Sequence, residues 1–578
     1  MDYSLNLAFF LLLLNTLSLV NATCLVHTPA YPSPNYTNPS AEFRKSLDSI
    51  TDAIRAVAND PTFNTSSFSI EITSESSTLY SAYHTAQVKD SSRPGVEVIN
   101  GDSAYRIASI SKTFTVLGLL YQHAAGNLSL DESVATYLPD LVSSHPHVLP
   151  WEDITLRTLA SQLSGLPRDF SQGDLAQGLP NPLEYGFPPV NLSGLPHCNA
   201  FGNYTPCKPI DLYTWLSSTT PVFAPKYKST YSNIAFDLLG LVLANVTGSS
   251  FEDYIRTSIL DPLNMTLSSF TPPPDSFAVL PKDNRDFWDV DLGIDNPTGG
   301  LYVSASDMSK YLRYILTHYN GITNALNWFQ PVSFTQGISS YYGIPWETFR
   351  TDKILPDSRR PVTFYTKGGG LPGYSTLILL VPEYALGITI LTAGNPGFVP
   401  PLNKIVTTKL IPAADKLAQE QAQHRYTGTY HSHNINTTLA ISHDSARGLM
   451  VSNFISNGTD TLSFIFNSPL VGTANVSLQL IPTGLYHDEK TKHGEIFTAV
   501  FDVITPNSET SGNIWDDFCV TDVSPAMYAG KRLGEVIFWD LDPETGKYSG
   551  VQMPAFRVWL HRQGDKESDS ETMFVQDL

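Results

Sequence analysis

The chain has 578 residues, 42% of them hydrophobic and 16% charged, which is apolar material for about two to four packed domains. Its formal charge of −20 argues against nucleic acid or an anionic membrane as the main partner, and no basic patch interrupts that acidity. The only cysteines are Cys24, Cys198, Cys207 and Cys519, with no Cys-x-x-Cys, which speaks against a zinc site and for an oxidising compartment.

At the N-terminus, Leu7 to Leu14 is almost wholly apolar, and Val20 and Ala22 suit small-residue cleavage. Residues 1–22 are therefore expected to be a signal peptide, although Asp2 stands where a Lys or Arg is usual. A membrane anchor is the competing reading, but the run is short and is broken by Asn15, Thr16 and Ser18. Secretion without stable membrane insertion is the expectation. Ten sequons follow, at Asn35, Asn64, Asn127, Asn191, Asn203, Asn245, Asn264, Asn436, Asn457 and Asn475, a density that suits a secreted glycoprotein.

Residues 23–40 read as an extended lead-in. The spacing of Phe43, Leu47, Ile50, Ile54 and Val57 predicts a helix over Ala41 to Ala58. Phe68 to Ile72 and Thr78 to Tyr83 alternate like strands. Tyr105 to Ile107 runs into a helix that carries Ser109 and Lys112 and stops near Gly126. Ile154 to Leu163 reads as another helix. Residues 165–225, rich in Pro, Gly, Asn and Ser, predict a surface excursion over a site, closed by a Cys198–Cys207 disulfide. That leaves Cys24 to pair with Cys519. Ile234 to Asn245 and Ala305 to His318 read as helices, and Leu377 to Val381 with Leu386 to Thr392 as a hairpin. The mixture is not regularly βαβ and predicts an α+β domain over 23–424. From 425 to 578, short alternating runs, among them Thr437 to Ile441, Leu462 to Phe466 and Ile496 to Val503, predict a small antiparallel β domain.

Three motifs carry chemistry: Ser109-Ile-Ser-Lys112, Tyr231-Ser-Asn233 and Lys367-Gly-Gly369-Gly370. Each alone is weak, since Tyr36-Thr-Asn38 and Lys492-His-Gly494 match the second and third patterns. A Ser and a Lys three apart share one helix face, so a neutral amine can take the hydroxyl proton. Tyr231 can relay that proton, Asn233 can donate an amide hydrogen bond to the acyl portion, and the glycines let backbone approach a substrate. The N–H groups of Ser109 and Gly370 are candidate oxyanion donors. No Gly-x-Ser-x-Gly elbow, His-Glu-x-x-His helix or phosphate loop is present, and no metal or cofactor is expected.

Tyr105-Arg-Ile-Ala-Ser109-Ile-Ser-Lys112-Thr-Phe-Thr resembles the nucleophile helix of the serine β-lactamase and penicillin-binding-protein superfamily, most closely its class C branch and esterase relatives. Leu159 to Pro167, Pro297-Thr-Gly-Gly300-Leu to Asp307-Met, and Lys367 to Gly373 resemble further stretches of that family, in family order. The resemblance covers about residues 40 to 420, and with the signal, sequons and β-rich C-terminus the chain looks like secreted fungal β-lactamase-like proteins. It implies an antiparallel sheet flanked by helices with an all-helical region. It also implies Ser109 as nucleophile, Lys112 and Tyr231 as bases, and Asn233, Lys367, Gly369 and Gly370 as substrate ligands. Gln162-Leu163 replaces the family's His-Thr, and Gly368 replaces a Thr whose hydroxyl often binds a β-lactam carboxylate. The implied activity is therefore acyl-enzyme hydrolysis of a small ester, amide or lactone. Alternatives are acyl transfer to a natural-product acceptor and a non-catalytic binding protein that kept the fold. Oligomeric state is open.

Overall fold

The computed structural model describes residues 25–142, 149–171, 174–191, 198, 205–319, 328–432, 434–466, 475–504, 514, 519, 523–524 and 526–564. It divides into two compact units, one of Arg44–Arg350 with Thr363–Leu410, the other of Met1–Phe43, Thr351–Val362 and Ile411–Leu578. The elements of the first, in chain order, start with helix α1 (Ala41–Ala58), strands β1 (Ser67–Thr73), β2 (Thr78–His84) and β3 (Ala104–Arg106), and helix α2 (Ser111–Ala124). Helix α3 (Ile234–Thr247), strand β4 (Tyr302–Ser304) and helix α4 (Ala305–His318) follow, then β5 (Ser333–Phe334), β6 (Ser340–Tyr342), β7 (Glu347–Thr351), β8 (Val362–Leu371), β9 (Tyr374–Val381) and β10 (Leu386–Ala393).

Eight of these strands form one antiparallel sheet in the order β2-β1-β10-β9-β8-β7-β6-β5. β10 is buried along its whole length, which is why Leu386 to Ala393 reads as a continuous apolar run broken only by Gly and Thr. Trp288, Trp328 and Trp346 are fully buried in the same core as Phe114, Leu239 and Ile378. α2 is buried on every face over its first ten residues, Ser111, Lys112, Thr113 and Thr115 included, the placement of a central rather than a surface helix. The β-lactamase-like arrangement of sheet, flanking helices and helical region is present as expected.

Two sequence expectations change in this unit. The helix expected over Ile154 to Leu163 is only Leu156–Ala160, capped at its start by Thr155, because Gln162 and Gly165 adopt φ of 64° and 75° and cannot continue it. Ser109 lies in a 3-10 turn, Ala108–Ile110, rather than in the α-helix that follows. Ala108 there has φ 51°, a left-handed conformation that is costly for any residue with a Cβ.

Helix α5 (Val399–Tyr426), which enters the second unit at Ile411, leads to β11 (Gly428–Ser432), β12 (Thr437–Asp444), β13 (Gly448–Ser456), β14 (Thr459–Asp460), β15 (Asn475–Asp488) and β16 (His493–Ile504). The minor hairpin β17 (Met527–Tyr528) and β18 (Lys531–Arg532) precedes β19 (Glu535–Leu541), β20 (Tyr548–Met553) and β21 (Val558–Arg562). Nine strands run β12-β11-β21-β20-β19-β16-β15-β13-β14, and an added β12–β13 pairing joins the first strand to the last but one. The sheet is thus barrel-like, with the two-residue β14 left at its edge. Thr437, Leu439 and Ile441 point inward in alternation. Leu462 to Phe466, expected as a strand, lies in the helix Thr461–Phe466; a run this short, with Ser463 among four apolar residues, does not distinguish the two. A buried ion pair ties segment 351–362 to α5 within this unit, Arg360 donating to both Asp415 carboxylate oxygens at 2.6 and 2.8 Å.

Cys198 and Cys207 form a disulfide. Cys519 is also disulfide-bonded, and its expected partner Cys24 lies outside the described residues, as does the expected signal peptide. Of the sequon asparagines, Asn35, Asn127, Asn191, Asn245, Asn264, Asn436 and Asn457 are exposed and Asn64 is half-buried. Asn203 and the side chain of Asn475 lie outside the described residues. Among the described residues, no single helix is long and apolar enough to cross a membrane.

Candidate active site

β3 pairs antiparallel with β4, placing Ile107 and Ala108 at the foot of α2. The turn that follows brings Ser109 Oγ to 3.0 Å from Lys112 Nζ. Lys112 is fully buried and also donates to the Thr298 carbonyl at 2.8 Å. Thr298 in turn donates through its hydroxyl to the Asp237 carboxyl at 2.6 Å and the Asn233 carbonyl at 2.9 Å. One threonine therefore couples the nucleophile helix to the start of α3. Burial pushes the Lys112 amine below the ordinary lysine range; the Lys367 ammonium adds to this, while Tyr231 and Asp237 oppose it. Burial and its neighbour Asp295 push the Asp237 carboxyl well up, so this acid does little to hold a proton on Lys112.

The Tyr231 ring is surrounded by cations, with Lys112 Nζ at 5.3 Å, Lys367 Nζ at 5.2 Å and Arg168 Cζ at 4.8 Å from its centroid. Burial alone would raise the phenol. Lys112 and Lys367 together outweigh it, the Ser109 hydroxyl helps, and the phenol is brought down to about 8. Gln162 sets this segment in place, its side chain accepting from Ser232 N–H at 2.7 Å and its carbonyl from Thr230 N–H at 2.9 Å. The two bonds bracket Tyr231. The replacement of a His by Gln162 thus has a positioning consequence that its sequence context did not reveal.

Strand β8 crosses directly over the nucleophile turn. A Cβ on Gly369 would sit 2.2 Å from the Ile107 carbonyl and 2.5 Å from Thr376 Oγ1, so only glycine fits. Thr376 on β9 also donates to that Ile107 carbonyl at 2.9 Å. Gly370 is exposed, and a Cβ built there meets nothing within 4 Å, so the strand opens at this point. Lys367 is buried and makes an ion pair with Glu347 of β7 at 2.7 Å. The Gly368 N–H donates to the other Glu347 oxygen at 3.2 Å. Burial would lower the Lys367 ammonium, but Glu347 and then Tyr231 outweigh it and hold it above the ordinary lysine range.

Asn233 stands at the start of α3 with its backbone N–H on the Arg168 carbonyl at 2.7 Å. Its side-chain amide donates to Asp169, and its Oδ1 is buried without a hydrogen-bond partner among the described residues. The structure thus brings together Ser109, Lys112, Tyr231, Lys367 and Gly369 around one turn. Gln162, Thr298, Glu347 and Thr376 complete the group and were not singled out as site residues from sequence. Thr298 and Gln162 lay inside stretches already notable for their resemblance, whereas Glu347 belongs to no motif.

Residues 69–407 match the Beta-lactamase family model, and residues 418–564 match a model described as a β-lactamase-like C-terminal domain. "Probable hydrolase M10" of a Phoma species is 31% identical over 92% of this chain and 90% of its own length. "Probable hydrolase clz13" of Cochliobolus lunatus is 31% identical over 94% and 92%, and a "Beta-lactamase-like protein" of Arthroderma benhamiae is 29% identical over 94% and 96%. A solved class C β-lactamase in complex with cefoxitin shares 20% identity, covers 64% of this chain and 99% of its own, and has a TM-score of 0.47. Fold, motif order and family match define a serine hydrolase. The chain belongs to the β-lactamase family.

Proposed function

We propose that the protein is a secreted hydrolase that forms an acyl-enzyme at Ser109 on a small ester, amide or lactone, with ester-like rather than β-lactam substrates preferred. The carrying observation is the 3.0 Å approach to Ser109 Oγ of the buried Lys112, whose amine burial holds below the ordinary lysine range. With Lys112 neutral the bond reverses, and the hydroxyl donates to the amine lone pair. Ser109 Oγ then attacks the carbonyl carbon, its proton passes to the Lys112–Tyr231 pair, and the Ser109 and Gly370 N–H groups are the donors for the oxyanion. Tyr231 returns the proton to the leaving alkoxide as the carbonyl re-forms. Water repeats the sequence on the acyl-enzyme and releases the acid.

The absent hydroxyl at Gly368 supports the ester preference. The excursion expected over 165–225 begins and ends beside Tyr231. Gly165 O accepts from Val222 N–H, Leu163 O from Lys226 N–H and Arg168 O from Asn233 N–H. Phe170 packs inward on Trp215 instead of lining a wall, while Leu175, Leu183, Tyr185 and Phe187 are exposed. The test compares kcat/KM for p-nitrophenyl hexanoate and benzylpenicillin on one preparation. Faster ester turnover is expected; a β-lactam turned over faster than every ester tried would replace this reading with a lactamase.

A further inference from the structure

Lys367 spends two of its three N–H donors inside the site. One goes to Glu347 Oε1 at 2.7 Å and one to the Gly368 carbonyl at 3.0 Å, while the ammonium lies 5.2 Å from the centroid of the Tyr231 ring. The Glu347 carboxylate is docked at two points, since its second oxygen accepts from Gly368 N–H. Its side chain nevertheless remains 33% exposed, against 1% for Lys367. Solvent and substrate therefore meet the carboxylate before the ammonium. The other peripheral cation at Tyr231 is balanced in the same way, Arg168 pairing with Asp169 at 3.3 Å. Cross-strand pairing places Tyr342 directly opposite Glu347, so the group beside the carboxylate on β6 is an uncharged phenol.

We propose that Glu347 is a specificity-determining residue that turns away substrates carrying an anionic group on the leaving-group side of the scissile bond, confining the site to neutral esters and lactones. This deepens the acyl-enzyme reading at Ser109 and rests on it. The physical cause is twofold. An incoming carboxylate finds the Lys367 ammonium buried and already paired with Glu347, and it meets a like charge at close range where water is partly excluded. A neutral leaving group meets neither obstacle.

The experiment uses the full-length enzyme and the hexanoyl esters of 3-hydroxybenzoate and of its methyl ester, which differ only in that charge. Active sites are counted by fluorophosphonate titration. The wild type should favour the methyl ester, and Glu347→Gln should narrow the ratio of the two kcat/KM values by about tenfold or more. Asp52→Asn, on the exposed face of α1, changes net charge equally and should leave the ratio alone. A wild type that takes the anionic ester as readily as the neutral one overturns the proposal. So does a titratable Glu347→Gln, or Glu347→Ala if the first variant does not fold, whose ratio stays within about twofold of wild type. A wild type that takes no fluorophosphonate at all refutes the Ser109 acyl-enzyme instead, and Glu347's role falls with it.

Discussion

Lys112, Lys367 and Arg168 converge on the ring of Tyr231, and the phenol at about 8 sets the pH at which the site becomes basic. Below that value Tyr231 keeps its proton, and only a neutral Lys112 can accept one from Ser109. Above it the phenolate can, so kcat/KM for a neutral ester should rise with pH through a limb near 8. Lys367 lowers the phenol, so Lys367→Met should move the limb to higher pH; Glu347 raises it, so Glu347→Gln should move the limb to lower pH. Stopped-flow pH profiles of the three proteins check this, and a wild-type profile flat between about pH 6 and 9 speaks against Tyr231 as part of the base. Ser111, two residues from the nucleophile, is buried with its hydroxyl accepting from Leu301 N–H at 3.2 Å. Its replacement by Ala should cost some stability and leave covalent labelling intact.

Strand β8 and the nucleophile turn touch through backbone, so the site depends on a strand approach that a single methyl group would block. Gly369→Ala would force β8 away from Ile107, and displacement of that kind should lower kcat/KM by about 100-fold with KM for a neutral ester less affected. Circular dichroism must show a folded variant for the comparison to count. The Cys198–Cys207 bridge closes a nine-residue separation, and Cys198→Ser with Cys207→Ser should destabilise the enzyme by about 2 kcal/mol in urea unfolding. An unchanged midpoint contradicts that role. Elements with their own periodicity were legible before the structure: α1 and the β9–β10 hairpin fall where the residue pattern puts them. Ser109 and Lys112 were legible because an i, i+3 pair is local, and Tyr231 and Lys367 because their motifs come in order. Glu347 was not, since it reaches Lys367 through pairing across the sheet, 20 residues away. The shortened helix at Leu156–Ala160 was missed because Gln162 takes a left-handed conformation with no glycine to announce it.

Across the whole molecule the chemistry sits in Arg44–Arg350 with Thr363–Leu410, and the nine-stranded barrel-like sheet in the other unit contributes none of the residues of the proposed mechanism. The family match over 69–407 and the separate C-terminal match over 418–564 follow the same contrast. Secretion remains a proposal, supported by the apolar run Leu7 to Leu14, the exposed sequons and the disulfide. Expression in a eukaryotic host should deliver the protein to the medium beginning after Ala22, with its mass reduced by peptide N-glycosidase; a protein held in the cell with an intact N-terminus contradicts it. The central claim is that catalysis runs through a covalent bond to Ser109. Incubation with a fluorophosphonate, followed by proteolysis and peptide mass mapping, tests it most directly. One adduct per chain on Ser109, absent in Ser109→Ala and present in Ser111→Ala, is the predicted result. Adduct on another serine, or labelling that survives Ser109→Ala, would contradict it.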